Sequence, residues 1–174
     1  SAAEGVQMEN LILLHSMTKR YAVPGVRLGY MTASAALLGK IREIRMPWSV
    51  NAFAIETGLF LLRNDISRST DISVLLERAR LLGESIASLG GGGFFEVGET
   101  HTHYMLVKIT GELNCREEKS ASAAVLKEHL ARKWGILIRD ASNFATLGQG
   151  HFRIATQTGE QNTLLVKALE ELCM

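Results

Sequence analysis

Two cysteines in 174 residues, Cys115 and Cys173, lie far apart, with no Cys-x-x-Cys spacing and no ligand pattern beside either. That argues against a disulfide framework or a cysteine zinc site and agrees with a reducing cytoplasm, the expected location. Net charge is nearly absent: nineteen basic against eighteen acidic side chains leave +1, so neither nucleic acid nor a charged membrane surface is expected as a partner. No apolar run approaches the ~18 residues of a membrane span. The amino terminus lacks a basic region followed by a hydrophobic core, so no signal peptide is expected either. Repeats and low-complexity segments are missing apart from Gly90-Gly91-Gly92-Gly93, which follows a helical pattern, lacks the lysine and hydroxyl of a P-loop, and reads as a loop. What the chain does have is apolar residues, 47% of it, ample for a core in one domain or one and a fraction.

Residues 1–9 read as a loop or the remnant of a terminal helix. The short apolar segment 10–15 reads as a buried strand, Pro24-Gly25 as a turn, and 26–31 as a second strand. Residues 33–45 carry a helical spacing with Ser34 as a cap, and 49–63 continue as helix with Phe53, Leu59 and Phe60 available for burial. The longest helical pattern is 70–89, with Ile72, Leu75, Leu76, Ala79, Leu82, Ile86 and Leu89 on one stripe. The period then changes to that of strands at 94–97 and 104–109. An amphipathic helix follows at 120–134, and short strands at 136–138 and 152–155. Thr158-Gly159-Glu160-Gln161 fits a capping box that opens a final helix. This order implies an α+β layer, a small sheet with helices on one face.

Lys19 stands at the end of the first strand, between Ser16 and Thr18 on one side and Arg27 eight residues later. Such a group can hold an anion by its charge and hydroxyl donors, and a carbonyl by its amine. On spacing alone, Lys19 and Arg20 are equally well read as solvated turn residues.

Ser16, Thr18, Lys19, Arg27, Leu28 and Gly29 together match a longer pattern. It has a small or hydroxyl residue three before the lysine, another just before it, and an arginine eight after, followed by an apolar residue and a glycine. The segment resembles the cofactor-lysine signature of type I pyridoxal phosphate (PLP) enzymes, the aminotransferases of the aspartate aminotransferase fold. The resemblance implies an α/β protein in which residues 1–50 are the end of the PLP-binding large domain. Residues 51–174 are then a connecting helix and a small α+β carboxy-terminal domain. It also implies PLP as cofactor, with Lys19 forming the internal Schiff base and Ser16, Thr18 and Arg27 holding the phosphate. Burial and nearby positive charge both favour the neutral amine that this lysine needs. A homodimer is implied, and no metal.

Arg153, inside the apolar Phe152-Arg153-Ile154, is read either as an exposed strand residue or, by the resemblance, as the grip on a substrate α-carboxylate. Arg139 matches an arginine that binds a substrate phosphate in the histidinol-phosphate aminotransferase branch, or else simply pairs with Asp140. In Pro47-Trp48-Ser49-Val50-Asn51, Asn51 resembles a substrate contact, the alternative being a helix cap; Trp48 reads as core or dimer contact. His15 stands beside the signature and is read either as approaching the cofactor or as a strand-end residue. His101 and His103 sit on one side of a strand, but no third metal ligand is evident.

The wording Thr-Lys-Arg-Tyr-Ala-Val-Pro-Gly, Pro-Trp-Ser-Val-Asn and Ile-Arg-Asp-Ala-Ser-Asn-Phe leans toward a decarboxylase of threonine phosphate, a step in making cobalamin, over the aminotransferase. Either way the expected partner is a small phosphorylated amino acid or amine. The signature starts at residue 16, whereas family members carry a long stretch before it. The expectation is therefore the carboxy-terminal part of a family enzyme, with an inert fragment as the alternative: the family's aspartate for the pyridine nitrogen and its ring-stacking aromatic have no match here.

Overall fold

The computed structural model describes residues 8–64, 72–115 and 118–173; most of the expected leading loop at 1–9 lies outside them. The chain divides into two compact units, Ser1–Thr70 and Asp71–Met174.

In the first unit, β1 (Leu13–Ser16) leads into a four-residue helical turn, α1 (Met17–Arg20), then a 3₁₀ turn at Pro24–Val26 and β2 (Gly29–Thr32). The two strands pair antiparallel from Leu13 opposite Thr32 to Ser16 opposite Gly29. Both strands are shorter than their apolar spelling implied, beginning three residues later and ending one later, and the 3₁₀ turn at Pro24–Val26 takes the first residue expected in the second strand. Pro24 opens the 3₁₀ turn, where its fixed φ and missing N–H cost least. Helix α2 (Ala35–Ile44) is capped as expected by Ser34, whose side chain accepts from the Leu37 N–H.

Helix α3 (Ala52–Asn64) begins at Asn51, whose Oδ1 accepts from the Ala54 N–H at 2.9 Å. Its buried face corrects the expectation. Phe53 is 83% exposed, and Leu59 and Phe60 are also exposed; the buried residues are Ala54, Gly58 and Leu61. Small residues win this face because the backbone comes close to its neighbour: a Cβ on Gly58 would lie 3.1 Å from a Leu28 methyl.

The second unit starts with α4 (Ile72–Ala87) and a 3₁₀ turn at Leu89–Gly91, with Gly90, Gly91 and Gly92 all at positive φ. The glycine run thus stops the helix by adopting the left-handed conformation that other residues avoid. Strands β3 (Phe95–Val97) and β4 (Tyr104–Ile109) follow, then a small hairpin of β5 (Leu113–Cys115) and β6 (Glu118–Ser120) that the sequence pattern did not reveal. Helix α5 (Ala123–Trp134), β7 (Arg139–Asp140), β8 (His151–Ala155) and α6 (Gly159–Glu170) complete it. The strand expected at 136–138 is displaced: Gly135, left-handed at φ 65°, ends α5, and the ladder with β8 begins only at Arg139. The capping box is present, with Thr158 and Gln161 bonding reciprocally.

The four-stranded sheet is antiparallel throughout, in the order β3-β4-β8-β7. Alternation puts Phe95, Met105, Val107, Ile109, Phe152 and Ile154 on its buried face. There they share one core with Leu82 and Ile86 of α4, Leu126 and Leu130 of α5, and Leu165 and Leu169 of α6. The opposite face carries Tyr104, Leu106 and Lys108 of β4, His151 and Arg153 of β8, and Arg139 of β7.

Candidate functional site

Around Lys19 the first unit gathers the expected donors. The Ser16 and Thr18 hydroxyl oxygens are 2.9 Å apart. Both line a concavity of about 400 Å³ together with Arg27, His15 and Tyr30. Lys19, one residue from Thr18 in the turn α1, is exposed and is not among the lining residues. Arg27 is held in a left-handed conformation, φ 59° and ψ 49°, which disfavours any residue with a Cβ. Two bonds hold this bend: the Arg27 Nη1 donates to the Pro24 carbonyl at 3.1 Å, and the Asn51 amide donates to the Val26 carbonyl at 3.3 Å. Strain kept in place by its surroundings is a feature of ligand-binding loops. Asn51 thus caps α3 and ties down the chain beside Arg27 at once. Trp48 is 97% exposed, so it is not core in this chain.

His15 is occupied by the strand pair. Its ring stacks on Tyr30 with centroids 4.4 Å apart, and its Nε2 lies 3.3 Å from the Thr32 hydroxyl. Gly29 is required next to it, because a Cβ there would come within 2.9 Å of the His15 carbonyl oxygen.

The donor set suits the phosphate of PLP: two hydroxyls and a guanidinium meet on one concavity, with a primary amine close by in sequence. No carboxylate for a ring nitrogen is found among the residues lining it, and its two aromatic rings, Tyr30 and His15, are stacked on each other.

In the second unit, Arg139 and Arg153 are directly opposite across β7 and β8, a relation that their spacing of fourteen residues does not reveal. Both are exposed and line a concavity of about 420 Å³ with Tyr104, Trp134, Gln161 and Asn162. Neither has a carboxylate partner among the described residues. Arg153 lies over the Tyr104 ring, 4.9 Å from its centroid. Arg139 lies 5.6 Å from the Phe144 centroid and donates to the Asn143 Oδ1 at 3.1 Å. Asp140, the partner considered for Arg139, instead accepts the Ser142 N–H at 2.9 Å. That bond and the Ser142 side chain hold its carboxyl below the usual range, with smaller contributions from the positive charges of Lys127 and Arg139. Tyr104 is the site residue that sequence reasoning missed, since strand pairing brings it to Arg153; Asn143 and Phe144 lie in a stretch already singled out, but their place beside Arg139 comes from the tight turn.

His101 and His103 fall in the turn before β4 rather than in a strand. His101 lies 3.5 Å from Glu99, and the His103 ring packs on Tyr104 at 4.0 Å.

A family model described as aminotransferase class I and II matches residues 2–169. Over 165 residues the chain is 34% identical to a putative threonine-phosphate decarboxylase of Caldanaerobacter subterraneus subsp. tengcongensis, an alignment covering 94% of this chain and 41% of that protein. It is 29% identical over 168 residues to a histidinol-phosphate aminotransferase of Thermoanaerobacter sp. strain X514, covering 97% and 43%. Among solved structures, the L-threonine-O-3-phosphate decarboxylase from Porphyromonas gingivalis superposes with a TM-score of 0.83 at 31% identity, covering 97% of this chain and 48% of that one. The chain therefore spans less than half the length of the relatives it matches.

Proposed function

The chain belongs to the aminotransferase class I and II family, and from that premise we propose that the full-length protein carrying it is a PLP-dependent L-threonine O-3-phosphate decarboxylase. Bound at the Lys19 loop, PLP supplies the electron sink for cleavage of a bond at the substrate α-carbon. Arg27, Ser16 and Thr18 hold the phosphate of that group by charge and hydroxyl donors, and Arg27 is already fixed in its bend. Lys19 is the residue whose primary amine would hold the cofactor's aldehyde, with loss of water, and its Nζ would take up or release a proton. Asn51 steadies the same loop through its bonds to Val26 and Ala54, and its proposed contact with substrate is the remaining N–H of that amide. On the substrate side, Arg153 grips the α-carboxylate and Arg139 the phosphate, each by the planar fork that suits such oxygens.

The observation that supports this reading is the direct opposition of two guanidiniums lacking carboxylate partners. Threonine phosphate fills both with one small molecule, as 2-oxoglutarate does in the aminotransferase reading, whereas histidinol phosphate brings a single anionic group; the 34% identity to a threonine-phosphate decarboxylase against 29% to a histidinol-phosphate aminotransferase favours the first. The second reading, a histidinol-phosphate-type aminotransferase, is favoured by the similarity to that group of proteins. The test is to incubate the full-length protein and PLP with threonine phosphate and measure carbon dioxide release. Release is the expected result, and turnover only with histidinol phosphate and 2-oxoglutarate overturns the proposal.

We place this enzyme in the cytoplasm as a homodimer, to be checked by sedimentation of the full-length protein. Residues 1–50 are proposed to complete the PLP-binding domain and 51–174 to form the small domain with its connecting helix. The division into compact units assigns that helix, α3, to the first unit instead, so α3 is the element on which the two boundaries differ. The opposing reading is a segment inert by itself. It is tested by mixing the 174-residue chain with PLP and seeking an absorption band that disappears in Lys19→Ala; no band in either overturns cofactor binding by the segment alone.

A further inference from the structure

We propose that Tyr104 on one side, and Asn143 with Phe144 on the other, are positioning residues. They splay Arg153 and Arg139 apart, so that the pair takes a substrate with two anionic groups in preference to one with a single group. This inference rests on the functional reading above and names what sets the specificity of its substrate side.

The ladder forces the two arginines together. Arg139 is directly opposite Arg153, and side chains so placed share one sheet face with Cβ atoms about 5 Å apart. Like charges in that relation repel; the one carboxylate acting on them among the described residues is Asp140, which attracts Arg139 more weakly than it bonds Ser142 and makes no close ion pair with it. The surroundings draw the two guanidiniums in opposite directions. In the sheet order β3-β4-β8-β7, β4 and β7 flank β8 on its two sides. Arg153 leans over Tyr104, which is opposite Ala155 at the far end of β8; Arg139 is taken by the turn that joins β7 to β8 at the other end, through Phe144 and Asn143.

Both anchors are themselves held. The Tyr104 N–H donates to the Thr102 hydroxyl at 3.1 Å, and the Tyr104 carbonyl accepts from the hydroxyls of Thr100 and Thr102. In the other turn, the Phe144 N–H donates to the Ala141 carbonyl at 3.0 Å, and Asp140 accepts from Ser142. Stacking uses the face of a guanidinium and leaves its in-plane N–H donors free for oxygens. The rings can therefore orient both forks without competing with the ligand. Because Arg153, Arg139 and Tyr104 line the same concavity, the splay fixes the distance between two bound anions, and hence which substrate spans it.

The test uses the full-length protein with PLP, measuring KM and kcat for threonine phosphate and the inhibition constant of threonine as a competitor. Tyr104→Leu is expected to weaken threonine phosphate about three- to tenfold, the scale of one cation–π contact, to weaken threonine less, and to leave kcat within about twofold. Tyr104→Phe keeps the ring and is expected to behave as wild type. Phe144→Leu, an independent variant should Tyr104→Leu fail to fold, is expected to narrow the same preference from the Arg139 side. Equal losses for both ligands, unchanged affinities, or Tyr104→Phe as impaired as Tyr104→Leu overturn the proposal. Arg153→Leu separates the two levels. If it leaves threonine phosphate affinity intact, the functional reading falls and this inference with it; if it weakens binding while Tyr104→Leu and Phe144→Leu do not, only the positioning role is lost.

Discussion

Arg153 illustrates how much a single residue means only through its partners. Within Phe152-Arg153-Ile154 it looks like any charge on the outer face of a strand, and it is indeed exposed. Its importance comes from Arg139 opposite, which makes a positively charged pair where an exposed strand would ordinarily alternate sign. In the full-length protein, Arg153→Leu is expected to raise KM and lower kcat/KM roughly tenfold or more, as one charge-assisted pair is lost. Unchanged kinetics would make Arg153 a surface residue. Cys173 behaves differently. Burial, with Glu170 nearby, pushes its thiol up to about 11, and the thiol donates to the Leu169 carbonyl. Since the thiolate is the reactive form, alkylation of the native chain is expected to be slow at pH 8, to rise about tenfold per pH unit and to level off only near pH 11. Rapid labelling of Cys173 at pH 8, read by mass spectrometry, would contradict this. Lys19, Ser16, Thr18 and Arg27 were legible in the sequence because they lie in one continuous stretch. Tyr104 was not, because only the sheet register delivers it, and Asn143 and Phe144, though in a quoted stretch, gained a role only from the turn after β7.

At the scale of elements, the β1–β2 ribbon decides whether the lysine loop keeps its shape. Ser16 and Gly29 are paired at its open end, immediately before and after the loop, and the close approach of the His15 carbonyl leaves no room for a side chain at Gly29. Gly29→Ala is expected to strain the pairing by about 1–3 kcal/mol, the cost of overpacking against atoms that cannot yield. It should also weaken PLP binding to the full-length protein, read by absorbance titration and thermal melting together. Wild-type affinity with an unchanged melting point would show that the ribbon gives way. Helices α2, α5 and α6 were readable because caps and periodicity act locally: Ser34 and the Thr158–Gln161 box are both in place. The buried face of α3 was not, since burial there follows from close backbone approach at Gly58 and not from side-chain size. The β5–β6 hairpin, three residues to a strand, is too short for alternation to register.

For the whole molecule, the telling fact is how unevenly the buried residues are distributed. The main hydrophobic cluster holds 20 buried residues, all between Ala79 and Leu172. Among the described residues of the first unit, the buried apolar side chains are Met17, Ala33, Ala54 and Leu61, while Leu14, Ile44, Met46, Trp48 and Phe53 stand exposed. Two alanines, a methionine and a leucine are little to set against the conformational entropy of ordering that unit. Local opening free energy follows buried apolar contact, so the cofactor side and the substrate side should differ in stability within one chain. In the isolated 174-residue chain, amides of β1 and β2 are expected to exchange with deuterium within minutes, while those of β4 and β8 stay protected far longer. In the full-length protein with PLP bound, β1 and β2 are expected to slow markedly, because a ligand that binds only the folded loop stabilises it by mass action. Equal protection of the two units in the isolated chain would mean that the first unit holds Lys19 in place without help.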